Sequence, residues 1–128
     1  MDLITEAALV RLAWASFQAM QNSIGAWADK TFPTHHDADG KPNPRGPIHH
    51  LADPKKGEAQ ELLRAFEAGL PLDKELADCA ILVFVTAHLS GVSLYDAIVA
   101  KMDENAARKW GPPDANGVCE HVREGGEA

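Results

Sequence analysis

Apolar residues recur along the chain with the period of an α-helix. Between residue 3 and about residue 28 they fall at intervals of three and four, with no proline and one late glycine. This pattern predicts a first helix, and related patterns predict helices from 53 to about 68, from about 72 to 89 and from about 93 to 110. Because no strand pattern or internal repeat competes with them, the predicted fold is all-α.

Local signals place the starts of two of these helices. Asp53 followed by Pro54 is typical of a helix start, with Asp53 as the N-cap and the proline at the first helical position. Ser93 followed by Asp96 resembles a capping box that opens the last helix. We therefore expect four to five helices packed as a bundle.

The segments between the helices predict the domain organisation. A chain of 128 residues suits one domain, 1–128, with a single core. Four prolines and two glycines predict a long loop at about 29–47, and ordered loops of this length are often functional. Beyond about residue 111, prolines, glycines and glutamates predict a partly ordered tail.

Charge and composition exclude several classes of partner. Nineteen acidic residues against twelve basic ones give a net charge of −7, which argues against nucleic-acid binding and suits a protein that holds cations. No apolar stretch approaches the roughly 18 residues that would span a membrane, and the N-terminus lacks the pattern of a secretion signal. Two cysteines without a C-x-x-C spacing predict reduced thiols, and because no secretion signal is recognised we expect a cytoplasmic location.

Two pairs of acids are the leading candidates for chemistry. Glu58 and Glu61 are three residues apart, as are Glu75 and Asp78, so each pair lies on one face of its helix. The short connection makes the two helices antiparallel neighbours, and the pairs can converge. Asp78 also precedes a wholly apolar helical turn that should carry it out of water. Convergent carboxylates repel one another, which favours bound Mg²⁺ or Mn²⁺, although Glu58 and Glu61 could also be ordinary surface charges.

A basic set follows on the last helix. Lys101, Asn105 and Arg108 recur at four and three residues, hence on one face. Lysine and arginine suit phosphate, but cations near a helix C-terminus are also favoured by the helix dipole. The dipole does not explain Asn105.

Together these residues resemble the MazG-like nucleoside triphosphate pyrophosphohydrolases of the all-α superfamily. The motif E-x-x-E, a spacer, E-x-x-D and then K-x-x-x-N-x-x-R is matched in order and spacing. The segments IGAWADKTFP, GPIHHL and NAARKWGPPDANGVCEHV further resemble the dATP/dGTP diphosphohydrolase branch, so the likeness covers about residues 18 to 123. The chain departs from that pattern by inserting DPKKG between GPIHHL and the first acidic pair.

The resemblance implies an activity and a site. The reaction would be hydrolysis of a deoxynucleoside triphosphate, dGTP or dATP, to the monophosphate and pyrophosphate. The four acids would hold Mg²⁺ or Mn²⁺, with Glu58 or Glu61 also taking a proton from water, while Lys101, Asn105 and Arg108 would bind phosphates. A homodimer or homotetramer is implied, in host cytoplasm if the protein is viral, where it could supply dGMP for modified-purine nucleotide synthesis.

The expected base pocket combines aromatic rings and amides where the first helix meets the long loop. Its candidates are Gln18, Gln21, Asn22, Trp27, Phe32, His50 and Trp110. Trp27 could equally be a core or interface aromatic.

Other functions remain open on the sequence. One is a house-cleaning pyrophosphatase for pyrimidine or damaged nucleotides, and another is a helical interaction module without catalysis. A di-iron bundle is disfavoured, because the Glu-x-x-His pairs that it needs are missing from the sequence.

Overall fold

The first helix is the longest element of the protein. The structure is a computed structural model that describes the backbone of residues 3–123 and the side chains of residues 8–123. Helix α1 spans Leu3–Thr31, three residues longer than the sequence pattern predicted. Gln21, Gly25 and Ala28 are buried at intervals of four and three, so one face of the C-terminal half of α1 is covered by other elements.

The remaining elements are also helical. A short 3₁₀ turn, Pro33–His35, precedes α2 at Arg45–Ala52, α3 at Glu58–Glu67, α4 at Asp73–Leu89 and α5 at Leu94–Ala107. Over residues 3–123 the extended pairing is limited to two isolated bridges, His36 with Pro42 and Trp110 with His121. The all-α prediction is therefore confirmed.

The predicted start of the second helix at Asp53 is wrong. Residues 53–57 form turns, and α3 begins at Glu58. Asp53 does act as a cap, since its Oδ1 accepts the amides of Lys55 and Lys56 at 2.9 Å, and these bonds lower the pKa of Asp53. Those turns end at Gly57, before the helix begins. A Cβ atom added at Gly57 would lie 2.6 Å from backbone atoms of Asp53.

Two further boundaries differ from the sequence prediction. Helix α2 occupies the GPIHHL region, where no helix was predicted; its Pro47 lies in the first turn, where a missing N–H leaves no hydrogen bond unmade. The last helix ends at Ala107, about three residues earlier than expected. The last five residues of the predicted tail, 124–128, lie outside the described part of the chain.

The chain divides into two units, residues 1–95 and 96–128. In the first unit, α1, α2 and α3 all pack against α4. Ala28, Val85 and Leu89 form the buried core cluster, with Ile24 and Ile81 packed against it. Helix α4 is therefore the central element of this unit.

A buried amide fixes α1 to the end of α4. Gln21 is only 4% exposed, and its Nε2 donates to the carbonyl of Val92 at 2.7 Å. Its Oε1 accepts the amide of Leu94 at 3.0 Å. Both halves of the carboxamide are thus satisfied by the backbone that follows α4.

In the second unit the chain turns back on itself after α5. The amide of Val122 donates to the carbonyl of Lys109, and that of Gly111 donates to Glu120, both at 2.7 Å. Gly117, with φ of 81°, lies in the turn that reverses the chain. Residues 109–122 therefore form a short hairpin-like loop.

In the part of the chain that the structure describes, no single helix is long and apolar enough to cross a membrane. Helices α4 and α5 pass that test of length and composition only when taken together as a bent pair.

Replacing Gly25 by alanine should destabilise the first unit. A methyl group there would overlap the imidazole of His88 on α4, whose Nε2 lies 2.9 Å from Oδ2 of Asp29. Alanine alone would favour the helix by about 1 kcal/mol, but overpacking of this kind costs roughly 1–3 kcal/mol. Urea unfolding should show a net loss of stability for Gly25→Ala and no loss for the exposed control Ser23→Ala. A stabilised Gly25→Ala protein would contradict the close α1–α4 contact.

Candidate active site

A cavity of about 290 Å³ opens in the first unit between the end of α1, the turn that follows it, and helices α2, α3 and α4. Its wall combines aromatic rings, two carboxylates and an apolar strip of α4. The lining residues are Trp27, Phe32, Thr34, His35, Gly46, His50, Glu58, Asp78, Ile81, Leu82 and Val85.

Two of the four predicted metal ligands line this cavity. Glu58 is the first residue of α3 and Asp78 lies in the second turn of α4. The chain reverses between these helices at Gly69, whose φ of 69° is readily adopted only by glycine. The reversal brings the two helices into contact and both carboxylates to one opening.

The thiol of Cys79 reports on the positions of three acids. Burial raises its pKa, and the charges of Glu58, Asp78 and Glu75 raise it further. A negative charge acts in this way only over a short distance, because water and salt screen it. Glu75 and Asp78 are neighbours of Cys79 on α4, so the effect of Glu58, on α3, is the one that reports the approach of the two helices.

Glu61 is placed differently. It is half exposed, and its Oε1 lies 2.7 Å from Nη1 of Arg64 on the same helix. Arg64 also donates to the carbonyl of Lys55, which anchors the guanidinium beside Glu61. The nearest partner of Glu58 is likewise a neighbouring side chain, since its Oε1 lies 3.2 Å from Nε2 of His50.

Within residues 8–123 no three histidine, cysteine, aspartate or glutamate side chains stand close enough to hold a metal ion without rearrangement. The donor set still fits a hard divalent cation, which prefers carboxylate oxygen. Glu58 and Glu61 each face a nitrogen group that a divalent cation could replace by a change of side-chain rotamer. The backbone placement therefore fits Mg²⁺ or Mn²⁺.

The expectation that Asp78 is carried out of water is wrong. Asp78 is exposed, and so are Leu76 at 52% and Val83 at 38%. Burial along α4 begins only at Leu82 and continues to Leu89, where α1 and α2 cover the helix. Although apolar residues occur on every side of α4, only part of its surface is buried within one chain.

The base-pocket candidates of the first unit separate into two groups, and the remaining one, Trp110, belongs to the second unit. Trp27, Phe32 and His50 line the cavity, and the rings of Trp27 and Phe32 meet edge to face with centroids 5.5 Å apart. The three amides are engaged elsewhere, Gln21 with the backbone after α4 and Gln18 with Asn22 at 3.0 Å. These assignments remain predictions for the substrate-bound protein.

His35 and Thr34 line the cavity although the sequence did not single them out as site residues. The imidazole of His35 lies against the ring of Phe32, with centroids 4.9 Å apart, and burial lowers the pKa of His35. The signal available in the sequence was the spacing of three between Phe32 and His35, which a 3₁₀ turn brings to one side.

The predicted phosphate-binding residues belong to the second unit. Lys101 and Arg108 both bind Glu104, Lys101 at 3.2 Å, and Nη1 of Arg108 lies 3.5 Å from Oδ1 of Asn105. Trp110 donates from Nε1 to the carbonyl of Asn105 at 3.2 Å. Lys101 and Asn105 lie on α5, and Arg108, one residue beyond the end of that helix, contacts Glu104 and Asn105 in its last turns.

Residues 20–128 match the sequence profile of the dATP/dGTP pyrophosphohydrolase family. The chain belongs to this family. The predicted family and the predicted enzyme class, a pyrophosphohydrolase, are thereby confirmed.

Two comparisons agree with this assignment. The chain is 34% identical over 108 residues to the dATP/dGTP diphosphohydrolase of Cyanophage S-2L, covering 84% of this chain and 90% of that protein. It is also similar, with a TM-score of 0.61 and 30% identity, to the structure of the Cyanophage S-2L MazG-like pyrophosphohydrolase bound to dGDP and three catalytic Mn²⁺ ions per active site. That match covers 84% of this chain and 97% of the other, and the Mn²⁺ of that relative agrees with the predicted cofactor.

The convergence of the acids can be measured through Cys79. In a Cys119→Ser background, Cys79 is the only cysteine of the 128-residue chain. Glu58→Gln should lower the pKa of Cys79 and speed its alkylation at pH 8 about two- to fivefold, because the thiolate is the reactive form. Glu61→Gln, whose carboxylate is not among the groups acting on this thiol, should leave the rate unchanged. Equal rates for both variants would place Glu58 away from α4.

Proposed function

We propose that this protein hydrolyses purine deoxynucleoside triphosphates, dGTP or dATP, to the monophosphate and pyrophosphate in a reaction that requires Mg²⁺ or Mn²⁺. The observation that carries the proposal is the shared cavity of Glu58 and Asp78, walled by Trp27 and Phe32, in a chain of this family. Acids for a metal and rings for a base thus meet in one opening.

The metal would be held by Glu58, Glu61, Glu75 and Asp78. When bound, it would lower the pKa of a water and neutralise negative charge at the α-phosphorus. To bind the metal, Glu61 must give up its contact with Arg64, and Glu58 must give up its contact with His50. Both pairs are at least partly exposed, and exposed pairs of this kind are worth only about 0–1 kcal/mol, so the exchange costs little.

The reacting bonds follow from this arrangement. The oxygen of water attacks the α-phosphorus, the bond from that phosphorus to the bridging oxygen breaks, and pyrophosphate leaves. Glu58 or Glu61 accepts the proton of the attacking water as general base. Lys101, Asn105 and Arg108 would hold the outer phosphates, with the arginine fork matching phosphate oxygens.

A purine is favoured by the cavity and by the relative. Trp27 is 51% and Phe32 39% exposed, so both rings offer free surface to a base. The dGDP bound by the Cyanophage S-2L protein supports a guanine nucleotide. The cyanophage origin of that relative favours a phage protein acting in host cytoplasm, and as a finer hypothesis its product dGMP would supply modified-purine nucleotide synthesis.

We also propose that the protein is a homodimer or homotetramer. Large apolar side chains are exposed along α1 and on α4, more than a monomer normally leaves in contact with water. They include Leu9, Val10, Leu12, Trp14, Met20, Leu76 and Val83. Light scattering on the purified protein should give a mass two or four times that of the 13.8 kDa chain.

A panel assay over the common nucleoside triphosphates tests the substrate class. With Mg²⁺ or Mn²⁺, dGTP or dATP should give monophosphate and pyrophosphate in equal amounts, with kcat/KM at least about tenfold above that for pyrimidine substrates. Preference for a pyrimidine or an oxidised base would favour a house-cleaning role. Absence of pyrophosphate from every substrate would favour the interaction module.

Asp78→Asn should abolish most of the activity. The amide keeps the shape of the side chain but removes the charge that binds the metal, so kcat/KM should fall by about a hundredfold or more. Calorimetry should show weaker Mn²⁺ binding by the same variant. Glu67→Gln, at the exposed end of α3, serves as the charge-matched control and should behave as wild type. Full activity in Asp78→Asn would remove Asp78 from the metal site.

A further inference from the structure

A basic cavity of about 710 Å³ lies within the second unit, between the end of α5 and the second half of the hairpin-like loop. Four of its six lining residues carry a basic side chain. The lining residues are Ala107, Arg108, Lys109, His121, Val122 and Arg123. Such a concentration stands out in a chain with a net charge of −7.

The backbone of the hairpin-like loop holds these side chains together. The two 2.7 Å bonds, from Val122 to Lys109 and from Gly111 to Glu120, join residues thirteen and nine positions apart in sequence. Oδ1 of Asp114 accepts the amides of Asn116 and Val118 and so stabilises the turn. His121 and Arg123 are thereby carried back beside Arg108, which the sequence spacing did not indicate.

The cations of the cavity are only partly neutralised. Arg108, whose side chain is 27% exposed, is bound by Glu104. Within residues 8–123 neither Lys109 nor Arg123 forms an ion pair. Several positive charges around one opening repel one another, so an anion in the cavity would stabilise them.

We propose that this cavity binds the phosphate chain of a di- or triphosphate, and that Lys109, His121 and Arg123 act there with Arg108. The inference rests on the proposed function, since it extends the phosphate site of that substrate to the hairpin-like loop. Two arginine forks and a lysine match the several oxygens of a polyphosphate better than the two oxygens of a carboxylate.

Glu104 acts as an internal competitor for the same cations. Its hydrogen bond from Lys101, followed by the charge of Arg108, lowers its pKa, so it is anionic at neutral pH. A phosphate that binds Arg108 must share it with this carboxylate or displace it. Removing the charge of Glu104 should therefore strengthen anion binding, the opposite of what loss of a structural ion pair would do.

The test is calorimetric titration of inorganic pyrophosphate into the full chain in EDTA, so that no metal at the acids contributes. Lys109→Gln with Arg123→Gln should weaken binding about tenfold or more, as expected for the loss of charged hydrogen bonds. Glu104→Gln should tighten binding about threefold. Lys41→Gln, which removes a positive charge from the first unit outside this cavity, is the control and should not change the affinity.

Gly117→Val provides an independent variant, because valine is strained at the φ of 81° and should distort the turn. Weaker pyrophosphate binding by this variant, with its helix content unchanged by circular dichroism, would support the role of the loop. Wild-type protein that binds no pyrophosphate, or equal affinity in the double variant and the Lys41→Gln control, would overturn the inference. Because the readout is binding, loss of the expected hydrolysis would refute the proposed function while leaving this result intact.

Discussion

The packing of α4 against α1, α2 and α3 is the contact on which the first unit depends. Val85 and Leu89 contribute its buried centre, and Gly25 lets the ring of His88 lie directly against α1. The same helix carries Glu75 and Asp78 near its beginning. Packing at the C-terminal half of α4 therefore determines where the acids of its N-terminal half stand, which links the core to the chemistry.

The second constraint is electrostatic. Glu58, Glu75 and Asp78 all act on one thiol, that of Cys79, and like charges so placed need cations near them. In the structure, the cationic Arg64 is the partner of Glu61, and His50 is the partner of Glu58. These weak, exposed pairs suit a site that must receive and release metal and nucleotide, since neither pair is costly to break.

Much of the fold could be predicted from the sequence, because α1, α4 and α5 have helical periodicity over at least fourteen residues. Helix α2 was missed because it is only eight residues long and contains a glycine and a proline. The start of α3 was predicted too early, at Asp53, because an aspartate that caps an isolated turn has the same local sequence as one that caps a helix. Short-range capping signals do not specify how many turns follow.

The site, like the fold, could be predicted from sequence spacing only in part. Spacing of three placed Glu58 beside Glu61 and Glu75 beside Asp78, but it could not show that the carboxylate of Glu61 turns to Arg64. The role of His35 in the cavity wall depends on the 3₁₀ turn after α1, and that of Arg123 depends on the hairpin-like loop. Both are contacts that only the folded chain brings about.

A crystal structure of the protein grown with Mn²⁺ and a non-hydrolysable dGTP analogue tests the central claim most directly. Anomalous scattering should locate manganese within about 2.0–2.3 Å of carboxylate oxygens of Glu58 and Asp78, with Glu61 turned away from Arg64. The base should lie against Trp27 and Phe32. Manganese bound only at other residues, or a nucleotide outside this cavity, would contradict the account.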